Sequence, residues 1–116
     1  MTKRLYYKYW GKAGSDDRRG NNYHLLPYHC LDVAAVGWQL LTPGKPLCKQ
    51  LAKQLDVEPE WLRTLFVFCL ALHDLGKFAR AFQGLKQDLS VDLVKANPRM
   101  SYSERHDSLG FCLWQE

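Results

Sequence analysis

Long hydrophobic runs are missing from this chain of 116 residues. The longest, Leu65 to Leu72, has eight residues, far short of the about 20 that a helical membrane span needs. No membrane partner is therefore expected. A secretory leader is missing as well: Met1-Thr2-Lys3-Arg4-Leu5 runs into Tyr, Lys and Trp without an apolar stretch or a small-residue cleavage site, so a cytoplasmic location is expected. Closely paired cysteines are absent too. Cys30, Cys48, Cys69 and Cys112 lie 18, 21 and 43 positions apart, which argues against a zinc ribbon and favours reduced, packed thiols. There is no glycine-rich phosphate loop, no helicase motif and no internal repeat. What remains is 47% apolar and 24% charged, the balance of one soluble domain able to bury a core.

The net charge of +4 is concentrated rather than spread. Residues 1–20 hold six Lys and Arg against Asp16 and Asp17, while the remainder holds ten of each sign. The basic residues are interleaved with Tyr6, Tyr7, Tyr9 and Trp10. Cations beside aromatic rings suit a phosphate backbone with unstacked bases, with Lys8 and Lys12 as the candidate contacts. The plainer alternative is a solvated arm whose rings dock on the domain. Residues 11–22, rich in Gly, Asn and charge, read as an exposed loop, which divides the chain into a basic aromatic arm and loop over 1–22 and a helical core over 23–116.

From His24 onward the spacing is helical and no strand pattern is evident, so the expected fold class is all-α. A first helix follows His29 through Val33, Val36 and Leu40 to the stop at Pro43-Gly44. Leu47, Leu51 and Leu55 mark a short amphipathic helix over 45–55. Asp56 or Glu58 as cap, then Pro59 and Glu60, begin a helix that is apolar nearly all round from Leu65 to Leu72 and is expected to be central and buried. Gly76 permits a close helix approach, and a short helix continues over 78–82. Ser101 and Glu104 form a capping-box pattern for a last helix through His106 and Leu113.

His73-Asp74 directly follows the apolar run. An unpaired carboxylate buried there would cost several kcal/mol, roughly, on the scale for isolated charges, so a cation must compensate: Lys77 or a metal. His29, His73 and His106 each fall near the end of an expected helix, the arrangement by which facing helices in a bundle assemble a metal site. Neutral imidazoles with one carboxylate suit Mn, Fe, Co, Ni or Zn better than Mg or Ca. His24 reads more simply as a structural histidine.

These segments resemble a known family. Tyr9-Trp10-Gly11-Lys12, the stretch His24-Leu25-Leu26-Pro27-Tyr28-His29-Cys30-Leu31-Asp32-Val33-Ala34-Ala35-Val36, Ala71-Leu72-His73-Asp74-Leu75-Gly76-Lys77-Phe78 with Phe82-Gln83, and Arg105-His106 with Ser108-Leu109-Gly110 are similar to the HD nuclease domain of the CRISPR-associated helicase–nucleases of type I systems, most of all the type I-E branch. The resemblance implies an all-α HD-superfamily fold and metal-dependent cutting of single-stranded DNA in antiviral defence. It implies that His29, His73 and Asp74 hold one metal, that Asp74 bridges to a second held also by His106, and that Lys77 sits beside the scissile phosphate, making Asp74 and Lys77 the catalytic pair. It further implies two partners, a helicase domain in the same full-length protein and a guide-RNA surveillance complex. The family pattern continues beyond His106 with a neighbouring His pair and a late Asp, so this chain is expected to be an incomplete, N-terminal portion of the domain with doubtful activity alone. Two other readings stand beside it: an HD phosphohydrolase acting on nucleotides, and a non-catalytic helical interaction module.

Overall fold

The computed structural model describes residues 4–14, 22–86 and 88–115, and it is mostly helical, in line with the expected class. In chain order a 3-10 turn (Leu5–Lys8) leads to β1 (Trp10–Ala13), β2 (Tyr23–Leu25), α1 (Leu26–Leu40), α2 (Pro46–Leu55) and α3 (Pro59–Leu72). A second 3-10 turn (Leu75–Phe78), α4 (Arg80–Gln83) and α5 (His106–Gln115) complete it. The chain divides into two compact units, one formed by residues 30–72 and the other by residues 1–29 with 73–116.

In the 30–72 unit, local chemistry decides the elements. Pro46 opens α2, where its missing N–H costs nothing. Leu41, Cys48, Ala52 and Leu62 form the buried core, with Leu51 and Val57 packed against it. Asp56 does not cap α3 at its start. It closes α2 in a left-handed conformation, φ 55° and ψ 49°, its N–H directed at the carbonyls of Ala52 and Lys53. Nor is α3 buried: Leu62 is its one buried residue, while Trp61, Leu65 and Phe66 are exposed. A helix apolar on every side needs neighbours on every side, and α2 with the later part of α1 flanks only some of it. Cys48 packs in the core as expected, but Cys69 on α3 and Cys112 on α5 are exposed.

The other unit contains a feature absent from the sequence reading, a two-stranded antiparallel ribbon. Trp10 lies opposite Leu25, Lys12 opposite His24 and Ala13 opposite Tyr23, with a bulge between Trp10 and Lys12. Of the loop expected over 11–22, residues 11–13 belong to β1 and residues 15–21 lie outside the described set. The bulge falls at Gly11, where a Cβ would stand 2.9 Å from Leu26 Cα and 3.0 Å from His29 Cβ. Only glycine lets the strand lie this close to the start of α1.

Trp10, Phe82 and Leu93 make the core of this unit, and one amide ties it together. Gln83, 1% exposed, accepts a hydrogen bond from the Trp10 N–H at 3.0 Å and donates to the carbonyls of Trp10 at 2.9 Å and Lys77 at 2.8 Å. The Trp10 indole N–H donates to the Gln83 carbonyl at 3.2 Å. A buried side chain thus does what a neighbouring strand would do for Trp10. At Gly76 a Cβ would collide with the His106 carbonyl, so the expected close approach is real: the 3-10 turn and α5 touch backbone to backbone. This contact fixes where α5 begins. The helix starts at His106, later than the Ser101–Glu104 pattern implied, and its first N–H donates to the Tyr102 hydroxyl at 2.8 Å. Tyr102 takes the role expected of Ser101, satisfying a donor that the helix leaves open.

Candidate metal centre

The apolar α3 ends at Leu72, which leaves His73 and Asp74 in a turn rather than on the helix. Two adjacent side chains on a helix diverge by about 100°; outside it they can face one point. His73 Nε2 lies 3.2 Å from Asp74 Oδ2. The 3-10 turn that follows has about three residues per turn, which brings Asp74 and Lys77 onto one side. The Lys77 N–H donates to the Asp74 carbonyl at 2.9 Å, and its ammonium donates to Oδ2 at 2.7 Å. Lys77 therefore faces Asp74 instead of sharing a helix face with His73.

Two further histidines reach the same carboxylate. His29, in the first turn of α1, places Nε2 at 2.9 Å from Oδ2, and His106, the first residue of α5, places Nε2 at 3.4 Å from Oδ1. All of these residues lie within one unit. The expected convergence of His29, His73 and His106 on Asp74 is what the structure has. Lys8 and Lys12 are not members of this cluster: Lys8 ends the first 3-10 turn and Lys12 is exposed on β1. His24 lies on β2, stacked against the Tyr28 ring at 6.4 Å, and Asp32 is exposed on α1.

The electrostatics separate the partners. Asp74 is 2% exposed. Burial by itself would raise its carboxyl, but the hydrogen bond and charge of Lys77, with His73 and His29, hold it below the usual carboxylate range. It is ionised at neutral pH. Burial, reinforced by the Lys77 charge, pushes His29 below the ordinary imidazole value despite the pull of Asp74. The short His29–Asp74 contact is accordingly a hydrogen bond of a neutral ring, and Lys77 is the cation that balances the buried charge. A neutral imidazole is also the form that ligates a metal.

The donor set fits a cation. His29, His73 and Asp74 each offer one ligand atom, and these atoms lie within 4.8 Å of one another. Two nitrogens and a carboxylate oxygen at this spacing match a borderline transition ion better than Mg or Ca, which favour all-oxygen shells.

Three residues that support this cluster escape a sequence reading. The Lys77 ammonium also donates to the Gly11 carbonyl at 3.2 Å, so the bulge in β1 holds the lysine. Gln83 grips the Lys77 carbonyl. The Tyr102 hydroxyl, besides accepting the His106 N–H, lies 3.3 Å from His106 Nδ1, a contact that orients the ring. Nothing in composition or periodicity marks Gly11 or Gln83. The spacing of Tyr102 and His106, four apart across a helix start, is the only trace Tyr102 leaves.

Helical packing around a His-Asp cluster at the end of an apolar helix defines an HD-type domain, and residues 10–116 match the family described as Cas3, HD domain. The chain belongs to that family. It is 37% identical over 97 residues to the CRISPR-associated endonuclease/helicase Cas3 of Escherichia coli (strain K12), a match covering 80% of this chain and 10% of that protein. The chain thus spans about a tenth of the length of this relative. No solved structure matches the chain.

Proposed function

We propose that this chain is part of a metal-dependent endonuclease that cuts single-stranded DNA in CRISPR antiviral defence. In this reading His29, His73 and Asp74 would hold a divalent transition ion (Mn, Fe, Co, Ni or Zn), and Asp74 with His106 would contribute to holding a second. The observation that carries the proposal is one buried carboxylate, Asp74, approached by three imidazoles and one ammonium between 2.7 and 3.4 Å. A divalent ion bound there supplies Lewis acidity toward a phosphoryl oxygen and makes a coordinated water acidic near neutral pH.

The chain's own residues do the rest. Asp74, kept ionised by Lys77, would be a permanent anionic ligand, and neutral His29, which donates its Nε2 proton to Asp74, would need only to shift that proton to Nδ1 to offer a lone pair, without any net loss of charge. The Lys77 ammonium, anchored by the Gly11 carbonyl, stands where it can neutralise charge growing on a phosphate in the transition state. Lys8 and Lys12 are proposed to attract the strand's backbone. The Escherichia coli relative, an endonuclease/helicase by name, supports an endonuclease joined to a helicase in one protein. We extend that arrangement to this chain's full-length protein, working in the cytoplasm with a guide-RNA surveillance complex.

The test has two parts. Titration of this chain with Mn, Co or Ni should raise its melting temperature, and Asp74→Ala should abolish that rise. In the full-length protein, Asp74→Ala or His73→Ala should abolish cleavage of single-stranded DNA with the fold intact, and Lys77→Ala should slow turnover more than it weakens ion binding. Undiminished cleavage by the Asp74 variant would falsify the assignment, and a chain that ignores all three ions would favour a non-catalytic helical module.

A further inference from the structure

Outside the Asp74 cluster, aromatic rings form a chain of their own in the same unit. The Tyr6 and Tyr7 centroids are 4.6 Å apart, and Tyr7 and Tyr28 are 5.7 Å apart. Tyr28 is followed by His24 at 6.4 Å with planes only 16° apart, then by His29 at 6.3 Å. The series therefore runs from the surface to a member of the cluster itself. Its outer members are not core residues: Tyr6, Tyr7 and Tyr28 are 38%, 36% and 48% exposed, while Trp10, Phe82 and Leu93 fill the core of this unit. Three large rings held together at the surface need another reason.

We infer that Tyr6, Tyr7 and Tyr28 form a stacking platform for unstacked bases of single-stranded DNA, leading the strand toward the Asp74 cluster. Aromatic faces stack on any base, so such a platform is tolerant of sequence and blind to duplex DNA, whose bases are already stacked. Beside the rings lies a cleft of about 270 Å3 lined by Tyr7, Tyr23, Leu25, Tyr28, Asp92 and Leu93. Its walls are apolar and aromatic, and the Asp92 carboxylate repels phosphate, so the cleft takes a base rather than the backbone. The charge for the backbone lies around it. The Arg4 guanidinium is held at the outer end by a 2.8 Å hydrogen bond to the Tyr6 hydroxyl, and Lys8 and Lys12 belong to the adjoining segments. A hydrogen bond with the Tyr28 hydroxyl, which raises the Tyr7 phenol above its ordinary value, ties these two rings together.

The inference deepens the nuclease proposal by naming where its substrate is held, and it rests on that proposal for the direction in which the strand runs. Binding itself is separable and is read in chelator, where no cleavage occurs. The anisotropy of a fluorescein-labelled oligo(dT) titrated with this chain should show single-strand binding that weakens roughly tenfold in Tyr28→Leu and in Tyr7→Leu. Tyr28→Phe, which keeps the ring, should bind within about twofold of the parent, and circular dichroism checks that each variant remains folded. A duplex of equal length should show no dependence on these tyrosines. Oligo(dT) affinity unchanged in Tyr28→Leu, or a parent chain that binds no oligo(dT), overturns the platform. Tyrosine-dependent binding by a chain whose full-length protein neither takes up an ion nor cuts DNA would leave the platform standing and remove the nuclease reading alone.

Discussion

Residues 30–72 cohere through four buried apolar side chains, Leu41, Cys48, Ala52 and Leu62. In the unit of residues 1–29 and 73–116, two of the most deeply buried side chains are polar, Asp74 and Gln83. The contrast shows two ways of specifying structure. Apolar burial is graded: a methylene lost is a contact weakened, and neighbours adjust. A buried polar group is close to all-or-none, because removing one partner strands the other in a place water does not reach. The unit that carries the chemistry is the one held by the less forgiving interactions.

The largest expected effect tests this contrast directly. Gln83→Leu strands the Trp10 N–H, the Trp10 carbonyl and the Lys77 carbonyl. At about 1–3 kcal/mol for each unsatisfied group, urea unfolding should show a loss of roughly 3 kcal/mol or more. Leu62→Val, which removes one methylene from the other unit, should cost about 1 kcal/mol. Equal losses would break the comparison.

Glycines give a second pair. Gly76→Ala must push the His106 carbonyl away, and overpacking of this kind costs about 1–3 kcal/mol; binding of the ion should weaken along with stability, since His106 moves. Gly44, in the 30–72 unit, has nothing within 4 Å of an added Cβ, so Gly44→Ala should be neutral or stabilise by about 0.4–1 kcal/mol. A thermal melt of each variant reads both.

Acid should act on the polar cluster in two stages. The folded values of His29 and Asp74 are both depressed, so in each case the unfolded chain takes up the proton first and folding stability falls as the pH falls. Stability is complete above about pH 6.5, declines as His29 is titrated, and declines again below about pH 4 as Asp74 is. Melting temperature against pH, measured in chelator, should lose its first stage in His29→Ala and its second in Asp74→Asn. A curve flat from pH 7 to about pH 3 would contradict the direction of both shifts. Smallest of all, Trp61→Gln at the 55% exposed position near the start of α3 should shift stability by no more than about 0.5 kcal/mol.

What could be read from the sequence cuts across this division. The α3 start, Pro59-Glu60, was legible because fixed backbone angles and end charges are local properties, and α2 showed in the spacing of Leu47, Leu51 and Leu55. So was the meeting of His29, His73 and His106, since polar residues at the ends of apolar stretches must find partners. The ribbon was not legible, because strands of four and three residues are too short for alternation to register. The start of α5 was misplaced because a hydroxyl brought in by the turn before it, on Tyr102, satisfies the first N–H in place of Ser101. The exposure of α3 was missed for a different reason: hydrophobicity states that a face needs cover, and only tertiary structure states whether it has any.

The residues around Asp74 are drawn from positions as far apart as His29 and His106, and this has a bearing on synthesis. As the polypeptide emerges from the ribosome, Asp74 appears long before His106, and the backbone contact at Gly76 has no counterpart until α5 follows. A nascent chain therefore passes through a stage with an acidic group, two imidazoles and no closing helix, in which non-local contacts have yet to offset the entropy of loop closure. Completion of the cluster is in this sense a late event: His106, and the backbone contact that places it, join only once translation has delivered the helix that closes it.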